Sequence, residues 1–212
     1  MNLRFLRRPF KYEFFNATLY IIGFNLMFYF IGNIVPVSKF YLSLIPGAVL
    51  KGYVWQFFTY MFEHANFNHI FFNMLGVLLF GYQVERAMGS REFLLFYLLT
   101  GFLSGLLSFF YFIALGYYGV ILLGASGALF GVMLAFATFF PRSQILVFFI
   151  LPVPAPVLVL LYTALELFYA FSGTGGNVAH YTHVAGFLVA YLYLLIRHGI
   201  NPIKVFRDEY FH

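Results

Sequence analysis

The sequence predicts an all-α membrane protein, a bundle of six transmembrane helices with a long interfacial first loop. Two observations carry that expectation. Hydrophobic residues make up 63% of the 212 positions and charged ones 9%, with a mean hydropathy of +0.88, which leaves too little polar surface for a water-soluble domain. The few charges also divide the chain into apolar runs of about the 20 residues needed to cross roughly 30 Å of hydrocarbon. Helix is the fitting element, because the runs are apolar on both faces and lack the alternation of a membrane barrel.

In chain order the expected spans run from Phe14 to Val35, Phe67 to Val84, Phe93 to Ile113, Ser126 to Phe140, Ile145 to Phe171, and Ala179 to Ile196. Between Glu92 and Arg142 there is no charged residue at all, which gives room for two crossings joined by a turn around Gly116 and Gly119. The segment from Pro36 to Asn66 carries Trp55, Tyr41, Tyr53 and many aliphatic residues. It is too apolar to float in water and is expected in the outer interface, where Trp and Tyr are favoured. Pro152, Pro154 and Pro156 are expected to kink the fifth span. Residues 1–13 and 198–212 are read as short tails around a membrane domain of residues 14–197.

Charge placement gives the orientation. With the amino terminus inside, Arg4, Arg7, Arg8, Lys11, Arg86, Arg91, Arg142, Arg197, Lys204 and Arg207 are cytoplasmic, and only Lys39 and Lys51 are outside. That bias is the positive-inside pattern, so both termini are expected in the cytoplasm of a multi-pass protein of a bacterial inner (plasma) membrane. No short apolar stretch with a small-residue cleavage site follows the basic amino terminus, and the first span is expected to be retained. The basic residues are dispersed between apolar runs, which argues against a nucleic-acid partner. The absence of cysteine excludes disulfides and thiolate chemistry.

Polar residues inside such spans are costly and mark interiors or wet cavities. Ser126, in Leu123-Gly124-Ala125-Ser126-Gly127-Ala128-Leu129-Phe130-Gly131, is ambiguous alone, because Gly127 and Gly131 also form a small-xxx-small helix contact. Depth removes the ambiguity. Ser126 precedes Arg142 by 16 residues, His183 precedes Arg197 by 14 and His69 precedes Arg86 by 17, or about 24, 21 and 26 Å of helix from the inner end. Asn73, four residues after His69, shares its helix face. One level below the outer surface therefore holds a hydroxyl, two imidazoles and an amide.

Serine needs a base to become a nucleophile, and His183 is the candidate. The spacing of Gly186 and Ala190 after His183 lets that helix press on Gly127 and Gly131. His69, Asn73 and the backbone N–H groups at the start of the fourth span are candidate oxyanion donors, and Phe130, one turn after Ser126, is expected to pack on the imidazole. The lone aspartate, Asp208, lies in the tail. Glu166 lies in the fifth span and is read as a structural acid, leaving a Ser–His dyad. His180, one turn before His183, raises a metal alternative, but the His-Glu-x-x-His pattern is missing and no metal is expected. His64 is read as a loop anchor, and Glu85 as an ion-pair partner among arginines.

Together these residues resemble the rhomboid family of intramembrane serine proteases, over Val54 to Ile196. Trp55-Gln56 is similar to the Trp-Arg pair of its first loop, His64 through His69 to Asn73 to its second-helix signature, and Val84-Glu85-Arg86 through Gly89 to the turn ending that helix. Gly124-x-Ser126-Gly127 and His180-x-x-His183-x-x-Gly186 resemble its nucleophile and sixth-helix motifs. The resemblance implies a six-helix rhomboid-like bundle without a cofactor, cleaving membrane-protein substrates within a transmembrane helix. It makes Ser126 the nucleophile and His183 the base. It assigns His69, Asn73, Ser126 and the adjoining Gly124 to the oxyanion and substrate site, and Gly127, Gly131, Phe130, Gly186, Glu85 and His64 to structural support. Gln56 replaces the family's Arg, which puts the loop's hydrogen bonds in question, and Ala190 replaces a second glycine. The competing reading is a non-proteolytic relative that binds transmembrane helices.

Overall fold

The computed structural model describes residues 7–147, 150–172 and 178–210. Helix α1 (Ala17–Ile34) leads into a loop of short turns: α2 (Val37–Leu42), α3 (Pro46–Val49), α4 (Gln56–Thr59) and a 3₁₀ turn at Tyr60–Phe62. Helices α5 (Phe67–Gly76) and α6 (Tyr82–Met88) form one rod through a π turn at Val77–Gly81, and Gly89, at φ 87°, turns it into α7 (Ser90–Ala114). Then come α8 (Ser126–Phe139), a hairpin of β1 (Gln144–Val147) and β2 (Leu151–Pro154), α9 (Ala155–Ser172), α10 (Val178–Tyr193) with a π turn at Leu194–His198, and α11 (Pro202–Tyr210).

Three of these helices are long and apolar enough to cross a bilayer: Ala17–Ile34, Phe67–Met88 and Ser90–Ala114. A fourth counts if His180–His198 and Pro202–Glu209, bent by 89°, are taken together, and Ser126–Phe139 and Ala155–Ala170 are shorter apolar helices. The chain is thus a mostly helical, integral membrane protein. Helix α8 is its centre. Gly127, Ala128, Leu129, Gly131, Val132, Met133, Leu134, Ala135, Ala137 and Thr138 are all buried, as expected for a helix that is apolar all round and enclosed by others.

The fifth expected span is corrected. Residues from Ile145 do not open a helix. Gln144 pairs with Pro154 and Val147 with Leu151 in the antiparallel hairpin, and the helix starts at Ala155. Pro152 and Pro154 lack the N–H that a helix interior needs, whereas a two-stranded hairpin tolerates them on an edge. Pro156 falls in the first turn of α9, where the missing N–H costs nothing. No kink is therefore needed. The carboxy-terminal tail contains α11, held to the α8–β1 connection by an ion pair between Arg142 and Glu209.

Two polar nodes lock the bundle away from the site. Glu85 is fully buried, and its partners are not arginines. Its carboxylate accepts from Ala17 N at 2.5 Å, Thr18 N at 2.9 Å and Thr18 Oγ1 at 2.7 Å, and from Ser90 Oγ. It thereby caps the amino terminus of α1, where the first N–H groups have no helical partner and the dipole favours an anion. Buried Glu92 of α7 takes a two-pronged contact from Arg197, at 2.5 and 3.0 Å, with Tyr193 Oη at 2.5 Å and Phe10 N at 3.0 Å. That pairing satisfies a buried carboxylate and ties the end of α10 to α7 and the amino-terminal segment.

The first loop is stitched by Gln56, despite the missing arginine. Its Oε1 accepts from Ile45 N at 3.0 Å, and its Nε2 donates to Phe40 O at 3.0 Å and Tyr41 O at 3.3 Å. Trp55 Nε1 donates to Tyr41 O at 2.9 Å. A neutral amide offers both a donor and an acceptor, so it satisfies a carbonyl pair and an N–H that a guanidinium could not serve together.

Candidate active site

The site begins with the contact of α8 and α10, set by glycine. A Cβ on Gly186 would lie 2.1 Å from the carbonyl oxygen of Gly127, and one on Gly131 would lie 2.6 Å from Thr100 Cγ2 and 3.1 Å from Ala190 Cβ. Only backbone without a side chain permits that approach. Ala190 is fully buried in this seam, so its extra methyl fits. The seam carries Ser126, the first residue of α8, against the amino-terminal half of α10.

His183 Nε2 then lies 2.8 Å from Ser126 Oγ. The Phe130 ring stacks on the imidazole at 4.2 Å between centroids and 12° between planes, fixing its plane edge-on to the hydroxyl. Phe187 and Tyr162 in turn pack edge-on against Phe130. For Nε2 to accept the serine proton, the neutral ring must carry its hydrogen on Nδ1.

Nδ1 faces a carboxylate. Glu166 Oε2 of α9 is 3.0 Å from His183 Nδ1 and 2.6 Å from His180 Nδ1. The first contact lies at ion-pair distance, off the line of an aligned hydrogen bond; the second is a hydrogen bond. Tyr169 stacks on His180 at 5.2 Å and 24°. Glu166, read from the sequence as a structural acid, makes such a hydrogen bond with His180 and also lies against His183. Glu166 lies six residues before the end of α9 and His183 five after the start of α10, and antiparallel neighbours pair residues equidistant from their connection. That symmetry was the available signal. Ligand atoms of Glu166, His180 and His183 lie within 4.8 Å of one another, close enough to hold a divalent cation.

The opposite wall comes from α5 and the strand-like approach to α8. Gly124 has φ 117°, a conformation that suits glycine, and donates its N–H to Tyr60 O at 2.9 Å. A Cβ there would lie 2.7 Å from His69 Cε1 and 2.8 Å from Nε2, so the His69 ring lies directly over the backbone before Ser126. Asn66 caps α5 by accepting from His69 N at 2.9 Å. Asn73, buried, donates its amide to the His69 carbonyl at 2.9 Å. The first helical bond of α8 runs from Leu129 N to Ala125 O, which leaves the earlier N–H groups without an intrahelical acceptor.

His64 supports this wall from the loop. Its Nδ1 is 3.3 Å from Phe62 O, and its ring meets His69 edge-on at 5.0 Å. Full burial, with the neighbouring imidazole of His69, pushes its pKa down to about 3, so the ring is neutral. The structure thus gathers Ser126, His183, Phe130, Gly124, His69, Asn73 and His64 in one region. Glu85 is at the other end of the bundle and acts on α1.

The combination of a glycine-seated serine, a stacked histidine and a His69–Asn73 wall has a counterpart. A family model described as the rhomboid domain matches residues 51–200. The chain belongs to the rhomboid family. Over 139 residues it is 32% identical to rhomboid protein 1, mitochondrial, of Saccharomyces cerevisiae, covering 62% of this chain and 38% of that protein. It is 38% identical over 85 residues to RHOMBOID-like protein 1 of Arabidopsis thaliana, covering 40% of this chain and 21% of the relative. To rhomboid protease GlpG of Salmonella newport it is 39% identical over 57 residues, 27% of this chain and 21% of the relative. The matched part is well under half the length of each of these rhomboid relatives.

Proposed function

We propose that this rhomboid is an intramembrane serine endopeptidase cleaving transmembrane segments of membrane proteins. The 2.8 Å approach of His183 Nε2 to Ser126 Oγ carries the reading. His183 takes the hydroxyl proton as Oγ attacks a peptide carbonyl, and returns it to the leaving amine as the C–N bond breaks. Water, deprotonated by the same nitrogen, then splits the acyl–serine ester. The developing oxyanion is held by the Ser126 N–H beside Gly124, with His69 and Asn73 as side-chain donors. One such donor is worth about 2.7–4 kcal/mol.

In this reading the chain crosses six times, through α1, α5–α6, α7, α8, α9 and α10, with both termini cytoplasmic in a bacterial inner membrane. Helix α8, at 14 residues, is about 21 Å long. It is too short to cross from the outer surface, which leaves Ser126 below that surface and reachable from a hydrated mouth. The name of the Salmonella relative as a protease supports the reaction class.

A serine-reactive fluorophosphonate is expected to label the purified protein in detergent, and Ser126→Ala to abolish both labelling and cleavage of a model single-span substrate. His183→Ala should be equally inactive and the double variant no worse, because the two residues act as a unit. Cleavage by Ser126→Ala at a tenth of the original rate would refute the assignment.

A further inference from the structure

We propose that Glu166 is a positioning residue for His183, making this site a Ser126–His183–Glu166 relay with His180 as a second partner of the carboxylate. The inference rests on the serine-protease reading above and deepens it.

The geometry favours it on three counts. A carboxylate at this depth is costly unless partnered, and the contacts of Glu166 are Nδ1 atoms of two imidazoles, at 3.0 and 2.6 Å. The contact with His183 is made at the one ring nitrogen that does not face Ser126. Glu166 therefore selects the tautomer with hydrogen on Nδ1, which leaves Nε2 free to accept. It also acts on the reaction itself. When the Ser126 proton moves to Nε2, the ring becomes a cation carrying both N–H groups, and the carboxylate 3.0 Å from Nδ1 offsets that charge. The Nδ1 proton stays where it is. His180, held by the same Oε2 and stacked under Tyr169, fixes the carboxylate in place.

Among the described residues, the charged and titratable groups around His183 are few. Glu166 and, beyond Phe130, Tyr162 come from α9, His180 from α10 and His69 from α5. On the α7 side, Tyr111 is stacked on Tyr181 of α10. Among these, Glu166 is the anion.

The test measures kcat, KM and the pH profile of kcat/KM for a model single-span substrate, with the rate of fluorophosphonate labelling as a substrate-independent readout. The wild type, Glu166→Gln, Glu166→Asp, His180→Ala and Ser126→Ala are compared, with and without EDTA. Glu166→Gln is expected to lower kcat and the labelling rate about tenfold to a hundredfold with KM unchanged. Its acidic limb should differ from that of the wild type, because the charge beside the imidazole has been removed. Glu166→Asp should restore part of the rate and the wild-type limb, and it decides the matter if the Gln variant does not unfold cooperatively. His180→Ala, which loosens the carboxylate without removing its charge, should lower kcat by less than Glu166→Gln does.

Wild-type kcat and limb in Glu166→Gln would overturn the proposal. So would a rate loss without a shift of the limb, the mark of helix packing alone, or loss of wild-type activity to EDTA that zinc restores. Activity in Ser126→Ala would instead overturn the protease reading, so the two failures are distinct.

Discussion

Burial sets the protonation of His64 and gives the fold a pH dependence. In the native chain the ring is neutral, with its pKa pushed from 6.5 down to about 3 by burial, while the unfolded chain takes up a proton near 6.5. Between those values the unfolded state binds more protons, so stability rises with pH. The contribution is complete above about 6.5 and is lost as pH falls toward 3. Glu63 beside it works in the opposite sense, because burial raises its carboxyl despite Lys39. Its native state holds the proton more tightly, so its contribution is present at low pH and lost as pH rises through the native value. The expected outcome is that the detergent unfolding temperature falls below pH 6.5 in the wild type. His64→Gln, with no proton to gain, should fall less. A parallel decline in both would show that His64 is not the titrating group.

At the scale of elements, the seam of α8 and α10 converts two glycines into an active-site distance. A methyl on Gly186 meets the Gly127 carbonyl at 2.1 Å, a backbone atom that cannot rotate away, so α10 must withdraw and carry His183 with it. Gly186→Ala should therefore reduce cleavage more than tenfold, on the order expected when a catalytic group is misplaced by about 1 Å. Gly23→Ala on α1, where a Cβ meets nothing within 4 Å, should leave turnover unchanged and be neutral to stabilising. Equal activity of the two variants would show that the seam tolerates widening. Glu85→Ala should instead lower the unfolding temperature by uncapping α1, each lost charged hydrogen bond costing about 1.5–3 kcal/mol. Relative to the folded fraction, turnover should change little.

The same elements show how far residues alone can be read. Ser126, His183 and His69 were legible because a polar group in an apolar run is conspicuous and helical rise converts sequence position to depth. Phe130 followed from the one-turn spacing. The hairpin from Gln144 to Pro154 was not legible, since a short apolar run has no periodicity that separates strand from helix, although Pro152 and Pro154 argued against a helix interior. Glu85 was misassigned because arginines are its neighbours in sequence, whereas its partners on α1 are 67 and 68 positions away. The Glu166 contact required knowing that α9 and α10 lie side by side.

For the molecule as a whole, the proposed six-span reading puts the nucleophile at the start of the short α8, below the outer surface, and on that reading depth governs what can be cut. A substrate helix in lipid has its peptide carbonyls hydrogen-bonded within the helix and its backbone screened by side chains. Ser126 Oγ, seated at the first residue of α8 with His69 over Gly124 on one side and Phe130 and His183 on the other, can reach a carbonyl only in extended backbone. On the proposed reading, the substrate unwinds locally before attack. Glycine costs a helix about 1 kcal/mol and proline about 3 kcal/mol relative to alanine, so either residue near the outer end of the span lowers the energy of the unwound form. Single-span substrates carrying Gly or Pro there are expected to be cleaved faster than a uniformly Leu-rich span of equal length, with the difference in kcat/KM following the order Pro above Gly above Leu. The measurement is turnover of the three substrates by the same preparation in liposomes. Equal rates would mean that unwinding is not on the path to the rate-limiting step.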